Sequence, residues 1–519
     1  MSARTDTFSE RLEVFSHAKD DEAYDQYLDL LLAVWSGGEA APGALAAAEE
    51  TAERLGRAPA GRRGHLVLLL GLLAETGEPG LRDRVRAGLH QPLALLDTLR
   101  EREPLGAALV YLLAHFPEEA SRILPAVRRA PLDPDDLARL ERCLASFDAE
   151  SPGIGRSWPS PARWVLSDAE REQERRWLAT LSDEAKTAFW TKDTRTLLAY
   201  MGAKAACAVA TGRVGSEAPA PALAASEQIA VPGSPVPGSP VPGSPVPGGS
   251  VPGRAAGELP RLDEHLGLLH CPSCGGPLAR RESGVVCRGC AADYPTRQGY
   301  LDLSGEAVGS GDQIAGNSPL YLSWYEPLLR PAFLRVNGAN WNGTVSVADE
   351  DRYLAEHVRP VDGPLLDLGA GTGRWTQVLT RILGSERVIA FDLASTMAER
   401  LTEVVPSSLV VRGSGGGLPF ADGALGAVNC WNTVQSIDQP FATVREIGRC
   451  LGKGGTFTML TYRRSPDPLY RYFQRQHEAC LGVAAFDQRE MNEALDSAGM
   501  DVVDTYAPGT FLIVTAVRR

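Results

Sequence analysis

Four cysteines stand in two CxxC pairs, Cys271-Pro-Ser-Cys274 and Cys287-Arg-Gly-Cys290, with twelve residues between the pairs. Each pair places two sulfurs on one tight turn, and two such turns facing each other offer four thiolates in a tetrahedron. That is the closed set of a structural zinc site, which stabilises a fold and leaves no open position to activate water. A redox dithiol is the competing reading, but no βαβ pattern surrounds either pair. Downstream, Leu365-Leu366-Asp367-Leu368-Gly369-Ala370-Gly371-Thr372-Gly373-Arg374-Trp375 runs from an apolar stretch through a glycine-rich turn into a helix pattern. About twenty residues on, Val388-Ile389-Ala390-Phe391-Asp392 is a second apolar run that ends in an acid. Glycines there let the backbone approach a ligand where side chains would clash, and the acids offer hydrogen-bond acceptors. Dinucleotide-binding folds share this turn, so the glycines alone leave the cofactor open.

The elements that must position these groups fall into blocks. With 519 residues, about three domains are expected. From about Gly212 to Gly257 the chain turns to Pro, Gly and Ser, with VPGSP repeats that degrade into VPGGS and VPG. Such a sequence can neither bury apolar surface nor sustain a backbone ladder, so it reads as a tether. About 40 flexible residues reach on the order of 35 Å, enough for two bodies that move independently. Before it, apolar residues recur at helical spacing in Tyr27–Leu32, His65–Ala74, Leu105–Phe116, Ile123–Val127 and Leu137–Leu144. Breaks fall at Ser36-Gly37-Gly38, Gly77–Gly80, Phe116-Pro117 and Ala130-Pro131, and Ser167-Asp168-Ala169-Glu170 has the form of a capping box. This predicts a bundle or a short HEAT-like stack. His65, His90 and His115 read as structural, and this half reads as a module for binding a protein partner or for scaffolding.

Composition excludes several classes. The formal charge is −13, which argues against a chain built to grip nucleic acid. The longest apolar candidate, His65–Ala74, falls short of the roughly 20 residues that span a bilayer. The N-terminus lacks a charged-then-apolar leader profile, and five of the nine cysteines are scattered, so a reduced, cytoplasmic protein is expected.

After the second CxxC come Asp293-Tyr294-Pro295 and Gly299-Tyr300-Leu301-Asp302-Leu303. The pattern resembles the zinc ribbon that precedes certain bacterial and plastid methyltransferases, among them the zinc-ribbon 23S rRNA guanine methyltransferases. The glycine-rich turn with Asp367 and Asp392 resembles motif I and the following acid of class I S-adenosylmethionine-dependent methyltransferases. Leu418-Pro419-Phe420-Ala421-Asp422-Gly423 and the Glu446–Arg449–Leu451–Gly454-Gly455 segment resemble the type 11 group of that family, in the same order. The resemblance covers about residues 320–519. Together with the helical half, the tether and the CxxC segment it gives a multidomain chain: an α-helical N-terminal domain (1–211), a linker (212–258), a zinc ribbon (259–305), lid or connector helices (306–345), and an α/β doubly wound, Rossmann-like core (346–519).

The resemblance also implies roles. Asp367, Gly369, Gly371 and Gly373 would line the methionine portion of S-adenosylmethionine, Asp392 would hold its ribose, and Leu393 and Met397 would pack by the adenine. Cys271, Cys274, Cys287 and Cys290 would hold structural Zn2+. Where the family has Gly-Asp after the third strand, this chain has Gly413-Ser414, which shifts adenine recognition toward backbone groups beside Ser414. At the end of the fourth strand stand Asn429, Trp431 and Asn432, the acceptor-side candidates, and no general base is evident. Methyl transfer by proximity and alignment is expected. Tyr321, Trp324 and Tyr325 fall where the family has a lid, and His477, Arg471 and Arg475 lie in an insert that commonly faces the acceptor. A small-molecule or peptide acceptor, in secondary metabolism, is the first expectation. An RNA methyltransferase and a non-catalytic adaptor are the alternatives.

Overall fold

Apolar residues at helical spacing build the N-terminal half around two helices, Ala60–Glu75 and Pro104–Leu113, which are apolar on every side. A helix of that kind belongs inside a stack. Accordingly, Gly64–Ala74 and Leu105–Leu113 are buried without interruption. Gly71 lets the two meet, since a Cβ there would lie 2.6 Å from the Tyr111 ring. The structure, a computed structural model, describes residues 7–156, 160–215, 259–305, 319–338 and 345–519. The VPGSP tether lies outside the described residues, as do parts 306–318 and 339–344 of the lid or connector. A two-residue hairpin, β1 (Trp35–Ser36) and β2 (Glu39–Ala40), interrupts the helices. The Ser167–Glu170 capping box is present at the start of helix Asp168–Leu178.

Helix Asp183–Thr211 closes this half, opened by Ser182 as N-cap and ended by Gly212 in the left-handed region. Its second half, Thr196–Val209, is almost wholly buried. One face packs on the helical stack; another meets helix Pro468–Leu481 of the C-terminal half, whose Leu469, Tyr472 and Phe473 form an apolar stripe at helical spacing. Gly202 permits the contact: a Cβ there would lie 2.1 Å from Phe473 Cε1. Tyr24 adds a hydrogen bond from its hydroxyl to Asp467 Oδ2 at 2.7 Å, and Trp35 meets Tyr472 edge-on at 5.0 Å. One hydrophobic core thus runs from Leu12 to Val209 and on through Val336, Leu469, Tyr472 and Phe473. Two bodies free to move apart were expected from the tether; the described residues instead share a packed seam.

The C-terminal half is built on one eleven-stranded sheet. In chain order its strands are β3 (Leu278–Arg281), β4 (Gly284–Cys287), β5 (Asp293–Arg297), β6 (Tyr300–Asp302), β7 (Leu365–Leu368), β8 (Val388–Asp392), β9 (Leu409–Arg412), β10 (Leu425–Trp431), β11 (Leu451–Tyr462), β12 (Met500–Tyr506) and β13 (Phe511–Arg518). Their order across the sheet is β12-β13-β11-β10-β7-β8-β9-β6-β5-β4-β3. Strands β7 to β11 pair in parallel, and β13 returns antiparallel between β11 and β12, as the closing hairpin predicts. β7 and β10 are buried at every residue and β8 at all but its last, because helices cover both faces of a parallel sheet.

The ribbon is not a separate bead. β6 pairs in parallel with β9, Leu301 opposite Val411, so β3–β6 extend the main sheet beyond its edge. Two motifs that stand apart in the chain also come together here. Glu446 accepts the Leu418 N–H, and Arg449 donates to Leu418 O, Phe420 O and Asp422 Oδ1, fixing the LPF turn. The same turn receives the ribbon: His270 N–H donates to Pro419 O at 2.9 Å.

Candidate functional site

A cavity of about 800 Å3 opens at the carboxyl ends of β7, β8 and β10, at the crevice where doubly wound sheets bind ligands. Its floor is the glycine turn. Gly369 has φ +71°, and a Cβ there would lie 2.1 Å from Thr433 Cγ2, so only glycine lets Thr433 sit over the loop. Thr433 Oγ1 donates to Gly369 O at 3.1 Å. Gly371 faces open space, whereas a Cβ at Gly373 would strike Val404 at 2.4 Å. Gly369 and Gly371 therefore line the cavity, and Gly373 serves the packing of the helix that follows.

Asp392 stands at the end of β8, half-buried in the cavity wall. Its Oδ2 accepts the Gly371 N–H at 2.8 Å and its Oδ1 the Ala394 N–H at 2.9 Å, which fixes the carboxylate and leaves lone pairs toward the cavity. Burial pushes its carboxyl above the ordinary range, against the pull of those amides. Leu393, Met397 and Gly413–Gly416, Ser414 included, line the same side. The Ser414 hydroxyl accepts the Gly416 N–H at 3.2 Å.

Asp367 is placed differently from the expectation. It is buried beneath the loop, 2% exposed, with Thr376 Oγ1 donating to its Oδ2 at 2.5 Å and Asn429 Nδ2 to its Oδ1 at 2.7 Å. Burial pushes its carboxyl up to about 6, and the two donors pull the other way. Asn429 is likewise withdrawn from the cavity. Asn429 and Asp367 are register partners of neighbouring strands β10 and β7, so their side chains meet on one face of the sheet. Asn429 is fully buried, and an acceptor-side role for it is not supported.

Trp431 and Asn432 do reach the cavity. Asn432 takes φ +57°, and its Oδ1 accepts from Gln435 Nε2 at 3.2 Å and the Tyr462 hydroxyl at 3.4 Å. Opposite the cofactor side stands a chain of rings. Tyr321 and Tyr325 lie 5.7 Å apart between centroids, Tyr325 and Trp375 6.4 Å, and Trp375 and Trp431 6.5 Å. Tyr321 and Tyr325 are thus where a lid would put them. The Trp375 indole N–H is buried without a partner. His477, by contrast, is half-buried in the seam near Tyr200, away from this cavity.

Behind the rings is a buried ion pair that the sequence did not disclose. Arg330 donates to both oxygens of Glu350, and the Trp431 indole donates to Glu350 Oε1 at 2.7 Å. Arg330 also lies over the Trp375 ring, 4.8 Å from its centroid. Both charges are 1% exposed or less as side chains, so pairing is what makes their burial tolerable. Arg330 and Glu350 lie on different helices and form no motif; Thr376, the partner of Asp367, is one more threonine in a helix.

At the far end of the sheet, the four sulfurs of Cys271, Cys274, Cys287 and Cys290 all lie within 4.8 Å of one another. The Cys271–Cys290 and Cys274–Cys287 separations are 3.7 and 3.4 Å, close to the about 3.8 Å between thiolates of a tetrahedral zinc site. The Cys290 and Gly289 N–H groups point at Cys287 Sγ, at 3.4 and 3.2 Å, and hold that thiol below its usual range. Tyr294 OH stands 3.1 Å from Cys271 Sγ. The donor set fits a closed metal site.

Residues 366–459 match the family model described as a methyltransferase domain. A demethylmenaquinone methyltransferase of Staphylococcus saprophyticus is 28% identical over 110 residues, 20% of this chain. The chain spans about half the length of that relative, 47%. Two solved structures are similar in fold. One is the methyltransferase chain from the complex with the Haloferax volcanii Trm112 methyltransferase activator (17% identity, 41% of this chain and 99% of that one, TM-score 0.32). The other is a geranyl diphosphate C-methyltransferase of Streptomyces coelicolor with S-adenosyl-L-homocysteine bound (19% identity, 33% and 77%, TM-score 0.29). The glycine loop, the acid at the end of β8 and the cavity they shape all lie in or beside the segment that matches the methyltransferase domain model.

Proposed function

We propose that this protein transfers the methyl group of S-adenosylmethionine to a small-molecule acceptor. The observation that carries the reading is the two-sided cavity, with Gly371, Asp392, Leu393, Met397 and Gly413–Gly416 on one side and four aromatic rings on the other. The cofactor supplies an electrophilic methyl on a sulfonium and leaves as S-adenosylhomocysteine. Asp392 is placed to accept the ribose hydroxyls, and the Gly369–Gly371 loop to receive the methionine end. Asp367 acts from beneath, holding Thr376 and Asn429, and so sets the loop without touching the ligand.

Among the described residues, the acceptor side offers orientation and no base. Burial raises the phenols of Tyr321 and Tyr325, which stay protonated, and Asp438 is exposed at the rim. The acceptor therefore brings its own nucleophile, an ionised oxygen or a free amine, and the rings hold it in line with the methyl. Alignment of this kind can account for most of the rate enhancement. The name of the staphylococcal relative points to a small organic acceptor as well. Four of the five arginines of the ribbon are turned to acids, which weakens the case for an RNA acceptor: Arg261 faces Glu264 at 3.0 Å, Arg280 faces Asp263 at 3.7 Å, Arg281 faces Asp293 at 3.3 Å and Arg297 faces Asp302 at 3.1 Å. The four-cysteine cluster is read as structural zinc.

Calorimetric titration with S-adenosylmethionine and, separately, NADH tests the reading. Micromolar binding of the first alone is expected. Asp392→Ala should abolish it, because it removes the ribose acceptor and the anchor of the Gly371 and Ala394 amides, while zinc stays at one per chain. Binding of NADH, or full S-adenosylmethionine binding by Asp392→Ala, overturns the reading.

A further inference from the structure

The wall of rings does not rest on the methyltransferase domain alone. Tyr321 and Tyr325 belong to the segment formed by helices Pro319–Trp324 and Arg330–Asn337 and the π-helical turn Tyr325–Leu329 between them. A π turn is rare and is found mostly at functional sites. Midway along, at the start of helix Arg330–Asn337, this segment is anchored to the C-terminal half by Arg330 on Glu350. Its other anchor lies in the N-terminal half. The Trp324 indole N–H donates to Glu170 Oε1 at 2.9 Å, and its ring sits 5.4 Å from that of Trp164. Trp164 and Leu166 also form one apolar cluster with Leu320, Leu328 and Leu329.

Glu170 is held in place before it meets Trp324. Its Oε2 accepts both the N–H and the hydroxyl of Ser167, each at 2.8 Å, in the capping box of helix Asp168–Leu178. One carboxylate therefore caps a helix of the N-terminal half and ties down the segment that carries the cavity's rings. Trp324 lies between Tyr321 and Tyr325 in sequence, so it cannot shift without moving both.

We propose that the N-terminal half is a positioning clamp for the acceptor pocket, in which Trp164 and Glu170 hold Trp324 and thereby seat Tyr321 and Tyr325 against the cavity. The clamp rests on the reading of that cavity as the methyl-transfer site. Trp164, Glu170 and Trp324 are positioning residues and touch neither cofactor nor acceptor. In the absence of the clamp the segment would stay held from Arg330 onward, by Glu350, by Phe333 on Tyr462 and Phe511 and by Thr510 on Asn337 O, and the ring wall would open at its Tyr321 end.

Hydrogen–deuterium exchange on the full chain, with calorimetric titration of S-adenosylhomocysteine, tests the proposal. Trp324→Ala should raise amide exchange across 319–338 by roughly tenfold and weaken S-adenosylhomocysteine binding by roughly three- to tenfold. Trp324→Phe, which keeps a ring and removes the N–H, should show the same changes in smaller measure and guards against a variant that does not fold. Ser167→Ala, which removes one of the two donors that hold Glu170 but spares the backbone N–H and the bond from Trp324, should raise the segment's exchange far less than Trp324→Ala does. Unchanged exchange across 319–338 in Trp324→Ala, or a rise confined to 160–178, overturns the clamp. Failure of the wild-type chain to bind S-adenosylhomocysteine would sink the methyl-transfer reading instead, and the exchange comparison would still decide whether the segment is held from the N-terminal half.

Discussion

Leu301 of β6 lies in parallel register with Val411 of β9, and neither side chain has any exposed surface. The ribbon therefore does for the catalytic sheet what an exposed edge requires. It pairs the open hydrogen-bonding groups of β9 and covers its apolar residues. Leu303, one step further, continues the ladder by donating its N–H to Arg412 O at 2.8 Å. The strand so protected is the neighbour of β8, which carries Asp392.

If the four-cysteine cluster holds zinc, loss of the metal should for this reason be felt in the C-terminal sheet. Cys287→Ser is expected to abolish zinc binding, measured by elemental analysis, and to lower Tm by roughly 5–10 °C, given that 1 kcal/mol moves a fold of this size by about 2–4 °C. A wild-type chain without zinc, or a variant with unchanged Tm, would count against it.

Gly369 carries two demands at once, a φ of +71° and a neighbour, Thr433 Cγ2, 2.1 Å from where a Cβ would stand. Gly369→Ala should cost about 2–4 kcal/mol by denaturant titration, combining backbone strain with the clash. Adding Thr433→Gly should recover the steric part and leave about 1 kcal/mol for the backbone alone. No recovery in the double variant would mean that Thr433 is not what crowds the loop.

Asp367 has its carboxyl raised by burial to about 6. A raised acid favours the folded state while it is protonated. Its contribution is fully present below the unfolded value of about 4 and is lost as pH rises through 6. Asp367→Asn is neutral throughout and escapes that loss. Between pH 4.5 and 7.5 the wild type should therefore lose about 2 kcal/mol relative to the variant, read from urea unfolding at three pH values. A difference that stays flat across that window would show that Asp367 does not titrate there.

Much of the site was legible in the residues. The double CxxC and the Asp367-to-Gly373 turn are short, because a tetrahedron of sulfurs and a ligand-cradling loop each impose their spacing over a few residues. Asp392, Leu393, Met397 and Ser414 follow because a strand that ends in a turn delivers its next residues to one rim of the sheet. The aromatic Tyr321–Tyr325 stretch stood out by its place before the first core strand, and Tyr321 and Tyr325 line the cavity.

What waited for the tertiary structure was every decision about which faces meet. Asn429 and Trp431 are two residues apart and look equally available in sequence. The register of β10 on β7 buries the first against Asp367, while the second reaches the cavity. Arg330 and Glu350 form no motif, and only the crossing of their helices makes them a pair beneath Trp431. The tether of Pro and Gly suggested separable halves, yet Gly202 against Phe473 and Trp324 on Glu170 join them. Local spacing determines local chemistry because the chain's own geometry carries it over a few residues. The register of strands, the burial of a charge pair and the docking of one half on another join residues 20 apart for Arg330 and Glu350, 62 apart for Asp367 and Asn429 and 271 apart for Gly202 and Phe473, which only packing brings together.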